Sequence, residues 1–209
     1  MERAAVDVLA PPDRPAAIST LTLAFSTDPV MRWFWPSAAT YLATFPSFAE
    51  LLTAAAFERN TAYALGGRAV ALWIPPPRLP DDDALATLMV SSVAPELLQD
   101  LAAFADQIGE AHPTEQHWYL PFTGVDPTAQ GLGLGSSLLR HALAECDTAG
   151  LPAYLEASTL RSRRLYERWG FEPLGVVQAG SSPPVWPMRR EPHAGQNLLE
   201  PSPPGPGRS

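Results

Sequence analysis

Val125-Asp126-Pro127-Thr128-Ala129-Gln130-Gly131-Leu132-Gly133-Leu134-Gly135 is the stretch that decides how this chain is read. The β-favouring residues before it predict a strand from Trp118 to Val125. After it, apolar residues at 134, 138, 139, 142, 143 and 146 recur at the helical period. A helix is therefore expected from Gly133 to Asp147, stopped by Gly150 and Pro152. A strand–glycine loop–helix unit offers an anion backbone N–H groups and the positive end of a helix dipole. Gly131, Gly133 and Gly135 keep Cβ atoms clear of a ligand that approaches the backbone closely.

Two familiar phosphate loops do not fit. A P-loop needs Lys and then Ser or Thr after its last glycine, and the chain contains no Lys. The dinucleotide fingerprint G-x-G-x-x-G meets Ser136 where its last glycine should stand, and it belongs on the first strand of a βαβ unit. What fits is Gln-x-x-Gly-x-Gly, as Gln130, Gly133 and Gly135. This closely resembles the acyl-CoA pyrophosphate loop of the GNAT N-acetyltransferase superfamily. Taken alone, the segment also reads as a tight αβ turn. A second motif, Leu165-Tyr166-Glu167-Arg168-Trp169-Gly170-Phe171, is similar to the closing L-Y-E-x-x-G-F helix and strand of that superfamily. The block from His117 to Arg190 resembles the C-terminal half of such a domain. Asp28-Pro29-Val30-Met31-Arg32-Trp33, Ala71-Leu72-Trp73-Ile74-Pro75-Pro76 and Pro184-Val185-Trp186-Pro187-Met188-Arg189-Arg190 are similar to a branch that includes puromycin-type acetyltransferases.

The resemblance implies a mixed α/β (α+β) GNAT fold: a mostly antiparallel central sheet with splayed strands, flanked by helices. The domain is expected over residues 1–191. Residues 81–111, two helices divided near Pro95, read as a helical insertion, and the Pro/Gly/Ser-rich residues 192–209 as a disordered tail. Acetyl-CoA is the implied cosubstrate. Gln130, Gly131, Leu132, Gly133, Leu134, Gly135 and Ser136 are expected at its pyrophosphate. Pro121 cannot donate to a sheet ladder, and Gly124 is a residue type that marks bulges or close approaches. An interrupted strand leaves backbone groups free to pair with an extended ligand, and the resemblance implies that this ligand is pantetheine, at Thr123, Gly124 and Val125. Many relatives carry Asn seven residues before the catalytic Tyr; here that position is Thr159, with Ser162 further on, so hydroxyls replace an amide.

Amide formation from a thioester needs an attacking amine, a place for the oxyanion and a proton for the departing thiolate. Tyr166 matches the family's general acid. A phenol with an ordinary pKa near ~10 is protonated at neutral pH and able to donate. Glu156, at the end of the strand expected over 153–157, is the favoured base; a Glu paired with a nearby Arg is the plain alternative. Asp28, Trp33, Phe34 and Trp118 are expected to bind the acceptor, Asp28 through its charge and the others as aromatic walls.

Composition frames these readings. A chain of 209 residues, 46% of them apolar, suits one well-buried domain. No apolar run approaches the roughly 20 residues of a membrane span, and the N-terminus lacks a secretory pattern, so a cytoplasmic, membrane-free protein is expected. The net charge of −8 argues against nucleic acid and suits a cationic small-molecule amine, though it also reads as a plain soluble surface. All 14 basic residues are Arg, and Arg161, Arg163, Arg164 and Arg168 cluster as candidate CoA-phosphate contacts. Cys146 lies on an apolar helix stripe and reads as structural. The four His show no metal-ligand spacing. An acyltransferase for a peptide or protein amine, a CoA-binding sensor or scaffold with little catalysis, and a homodimer all stay open.

Further helices are expected over 15–27, with a short turn over 30–36, and over 37–59 with Ser37 as N-cap and a kink or break at Pro46. Gly66-Gly67 predicts a hairpin between 61–65 and 68–74. A helix over 162–169 and a last hairpin, 171–178 with 185–190, complete the plan.

Overall fold

The computed structural model describes residues 5–77 and 82–193. Seven strands form one sheet in the order β1 (Asp7–Val8), β2 (Ala62–Leu65), β3 (Ala69–Ile74), β4 (Trp118–Val125), β5 (Ala153–Ala157), β7 (Trp186–Arg190), β6 (Glu172–Pro173). Every pairing is antiparallel except β4 with β5. That parallel pair needs a crossover, and helix α6 (Leu134–Ala149) supplies it. On one face lie α1 (Arg14–Ala24), α2 (Pro29–Phe34), α3 (Ala38–Glu58), α4 (Asp82–Ser92) and α5 (Leu98–Ala111), around a core that includes Leu21, Phe34, Trp35, Phe45 and Phe122. On the other, α6 and α7 (Leu160–Glu167) cover a second core of Trp73, Leu138, Leu139, Leu143 and Met188. β2 and β3 are buried along their whole length because helices cover both faces.

The expected elements are present, with instructive shifts. Pro46 does not break α3; the helix runs through it. Its apolar face (Tyr41, Phe45, Phe48, Ala49, Phe57) is held by tertiary packing, which outweighs one lost helix hydrogen bond. The last hairpin reduces to the short β6 and an isolated bridge between Val177 and Val185. β7 pairs with both β5 and β6. β1, outside the expected plan, is too short to carry a periodic signal. The expected 81–111 segment is α4, a 3-10 turn at Pro95–Leu97 and α5, with residue 81 outside the described residues. The tail expected over 192–209 lies outside them from residue 194 onward.

Candidate active site

The sheet opens where Pro121 predicts. β4 pairs with β5 only at Trp118, Tyr119 and Leu120. On its other side, Leu72 faces Phe122 but Ile74 faces Tyr119, so β4 carries one extra residue across Leu120–Pro121. This is a bulge, and bulges bend the strand that holds them. Beyond it, Thr123, Gly124 and Val125 pair with β3, while Glu156 and Ala157 pair with β7. The diverging strands bound a cleft of about 740 Å³. Gly124 sits in regular register opposite Val70, and the reason for glycine there is the close approach of α1. A Cβ at Gly124 would lie 2.8 Å from Ala24 Cβ and 2.9 Å from Leu21 Cδ2.

The glycine loop forms one wall of the cleft. Gly131 and Gly133 adopt left-handed φ values of 80° and 79°. Gly133 is the N-cap of α6, without a side chain to bond the first-turn N–H groups, and Leu134, Gly135 and Ser136 line the cleft beside it. A Cβ at Gly133 would meet no protein atom within 4 Å, so the loop leaves room for a ligand against its backbone. Gln130 lines the same wall; its Oε1 accepts from Arg161 Nη1 at 3.0 Å and ties the loop to α7. Arg161, Arg164 and Arg168 line the cleft. Arg163 turns away, with Nε 2.8 Å from Glu167 Oε1 and its guanidinium over the Trp186 ring. Glycine cradle, helix N-terminus and three arginines together fit the pyrophosphate and phosphate of an acyl-CoA. Thr159 and Ser162 also line the cleft, but their side chains close a capping box on α7: Thr159 Oγ1 accepts from Ser162 N at 3.0 Å, and Thr159 N donates to Ser162 Oγ at 3.2 Å.

Tyr166, Asp28 and Glu156 line the same cleft. Tyr166 lines the cleft while only 7% exposed, and among the described residues its hydroxyl has no hydrogen-bond partner. Burial, and then the Asp28 charge, push its pKa well above the ordinary phenol value. Asp28 caps α2: Oδ1 accepts from Val30 N at 3.0 Å and Met31 N at 3.1 Å. Oδ2 accepts from the Ser158 hydroxyl at the end of β5. Burial raises the Asp28 pKa, and the bonds from Ser158, Met31 and Val30 offset part of that rise. Glu156 lines the same region; its Oε2 accepts from Tyr119 Oη at 2.9 Å, and its Oε1 lies 3.6 Å from His112 Nδ1.

Most of the expected site residues therefore meet in one cleft: Thr123, Gly124, Val125, Gln130, Gly131, Gly133, Leu134, Gly135, Ser136, Thr159, Ser162, Asp28, Glu156 and Tyr166. Leu132, 67% exposed, is not among the residues lining it. Trp33, Phe34 and Trp118 are not either. Phe34 and Trp118 are buried in the two cores, and Trp33 packs on Phe34 and Phe104 with its Nε1 donating to Ser181 Oγ. Their aromatic bulk fills the domain. Sequence reasoning missed Ser158 as the partner of Asp28, a contact 130 residues apart that no local pattern encodes. It also missed His112, whose only signal was its place five residues before His117.

Comparison with known proteins agrees with this geometry. Over 92% of the chain, the fold matches an acetyltransferase of Corynebacterium glutamicum, described as histone acetyltransferase HPA2 and related acetyltransferase, at 27% identity and a TM-score of 0.63, covering 98% of that chain. It matches an agmatine N-acetyltransferase structure at 13% identity and a TM-score of 0.62, over 91% of this chain and 100% of that one, a likeness of fold alone. Among curated proteins, an uncharacterized N-acetyltransferase of Schizosaccharomyces pombe is 36% identical over 81 residues, and a mycothiol acetyltransferase of Thermomonospora curvata is 40% identical over 82. Those segments are 37% and 38% of this chain and span only a third and a quarter of the two relatives. The model of the acetyltransferase (GNAT) family matches residues 47–171, more than half of the chain and the span that holds the splayed strands, the glycine loop and Tyr166; the chain belongs to that family.

Proposed function

We propose that this protein transfers the acetyl group of acetyl-CoA to the amine of a cationic small molecule, by direct attack on the thioester. The carrying observation is that one cleft brings together a glycine cradle, three arginines, two carboxylates and Tyr166. Arg161 reaches the loop through Gln130, with Arg164 and Arg168 lining the same cleft, and Asp28 and Glu156 line it with Tyr166. The arginines suit CoA phosphates and the carboxylates an ammonium. Acetyl-CoA supplies an activated acyl group on a thiolate leaving group. The loop from Gln130 to Ser136 holds its phosphates, and Thr123 to Val125 present backbone to its pantetheine arm. Asp28 binds the incoming ammonium, Glu156 takes its proton, and the Tyr166 hydroxyl donates toward the sulfur. The motifs around Asp28, Trp73 and Trp186 that resemble puromycin-type acetyltransferases support a small-molecule acceptor.

An acetyl-CoA consumption screen against an amine library tests this. Turnover is expected with monoamines and diamines that are cationic at neutral pH. General acid–base groups contribute about 10²–10⁴-fold, so Tyr166→Phe should lose about that much in kcat, with acetyl-CoA affinity near wild type. Tight acetyl-CoA binding without turnover across the library would instead leave a CoA-binding module. Turnover confined to peptides would move the acceptor to a protein amine.

A further inference from the structure

Behind the cleft wall, a chain of titratable side chains leads from Glu156 to the surface. Glu156 Oε1, buried and without a hydrogen-bond partner, lies 3.6 Å from His112 Nδ1. His112 Nε2 is 3.0 Å from His117 Nε2, and His117 Nδ1 is 2.7 Å from the Glu115 carbonyl oxygen. Two imidazole nitrogens at that separation share one proton between them, because one ring must accept. A carbonyl oxygen only accepts, so His117 Nδ1 carries a proton. Its Nε2 is then the acceptor when that ring is neutral, and His112 Nε2 the donor. His112 Nδ1 is thereby left able to take a proton from the Glu156 side.

Two features position the His112 ring. It caps the C-terminus of the 14-residue helix α5. Its ring also packs edge-on to Tyr119 and Tyr154. Among the described residues, the charged groups near the pair include Glu115, which pairs with Arg189 of β7, and Glu191, 2.7 Å from Arg189 Nε; Tyr119 of β4 and Tyr154 and Glu156 of β5 also lie against it. Among the described residues, no group of three or more His, Cys, Asp or Glu could hold a metal ion.

We infer that His112 and His117 carry the acceptor's proton from Glu156 to solvent. The inference rests on the assignment of Glu156 as base. The acceptor ammonium gives one proton to the Glu156 carboxylate, becoming the neutral amine. Glu156 passes that proton to His112 Nδ1. His112 Nε2–H moves to His117 Nε2, and the partly exposed His117 imidazolium releases one proton to water. Exchange with water returns both rings to their starting tautomers. One proton enters and one leaves, and no electron pair changes owner beyond the N–H and O–H bonds named. His112 and His117 act through Glu156 and touch no substrate themselves.

The test compares wild type, His112→Ala, His112→Asn, His117→Asn and Glu156→Gln, each with acetyl-CoA and the best amine. If the relay operates, the His112 variants lose about tenfold or more in kcat at neutral pH, a barrier increase of about 1.4 kcal/mol. KM for the amine, acetyl-CoA affinity and melting temperature should stay near wild type. Imidazole in the buffer should restore His112→Ala saturably, and thiazole, a ring of similar size without a basic nitrogen near neutral pH, should not. The deficit should shrink as pH rises and hydroxide takes over the proton. In wild type, the two imidazole rings should titrate as a coupled pair by NMR, and His117→Asn should shift the His112 curve. Histidine variants with wild-type kcat beside an inactive Glu156→Gln would overturn the relay and leave the base assignment standing. A Glu156→Gln variant with wild-type kcat would overturn both. Rescue by thiazole as effective as by imidazole would reduce His112 to a packing residue.

Discussion

Gly124→Ala is the sharpest test of how the fold supports the cleft. The added methyl would sit 2.8 Å from Ala24 Cβ and 2.9 Å from Leu21 Cδ2, against a comfortable carbon–carbon separation of about 3.5–4.0 Å. Neither neighbour gives way easily. Ala24 has no side-chain torsion to turn, and Leu21 is fully buried. Relief has to come from a rigid shift of α1 away from β4. Overpacking of this kind costs about 1–3 kcal/mol, which in a domain of this size lowers Tm by roughly 2–12 °C. Ala24, Phe25 and Gly124 line the cleft, so the shift should be felt as a higher KM for the amine and, through the Thr123–Val125 backbone proposed for the pantetheine arm, as weaker acetyl-CoA binding. Differential scanning calorimetry and steady-state kinetics read the two effects. Ala24→Gly in the Gly124→Ala background removes one of the two clashes and should recover part of the lost Tm, a coupling that a double-mutant cycle measures. A Gly124→Ala protein melting within about 1 °C of wild type, against the overpacking range above, would refute the close approach of α1.

Gly133→Val should weaken acetyl-CoA binding by at least about tenfold, because a branched side chain would enter the space beside the α6 N-terminus and its φ of 79° suits only glycine well; calorimetry showing unchanged affinity in a folded variant would remove the loop from the site. Asp28→Asn keeps an N-cap acceptor for Val30 and Met31, and should leave Tm at pH 7 equal to or above wild type while raising KM for the amine. Burial raises the Asp28 pKa, so its stabilising contribution is full below the ordinary carboxylate value and is lost as pH rises through the raised one; the Tm advantage of Asn should therefore fade on acidification, and a clear loss of Tm at pH 7 would contradict this.

The fold and the glycine-loop wall of the cleft were legible in the sequence because they rest on local signals. A glycine that must be left-handed, a proline that cannot donate, and apolar residues at 3.6-residue spacing each act within a few positions. Gln130, Gly133 and Pro121 declared the loop and the splay in that way. The reactive end was legible only in part. Asp28 and Glu156 stood out as charges, but their partners, Ser158 for one and Tyr119 and His112 for the other, come from different elements and meet only in the folded chain. The aromatic residues misled for a related reason. Trp33, Phe34 and Trp118 carry as much surface as an acceptor pocket would want, and the same surface fills the cores around a sheet with helices on both faces.

Asp28 and Tyr166 belong to one charge balance, and under the proposed function that balance would link acceptor binding to chemistry. In the free protein, the Asp28 carboxylate is one of two causes that raise the Tyr166 pKa, burial being the larger. A phenol so placed stays protonated across the neutral range and donates a hydrogen bond, but it yields its proton to a thiolate reluctantly, since the ordinary thiol pKa is near ~8.5. An ammonium bound at Asp28 cancels the charge that holds the proton on Tyr166. A cationic acceptor would therefore make Tyr166 a better donor on arrival, while a neutral amine of the same shape would not. The discrimination would fall on kcat as well as on KM, because it acts on the donor in the loaded site. With the Asp28 charge removed, cationic and neutral acceptors should lose that difference in kcat even where both still bind.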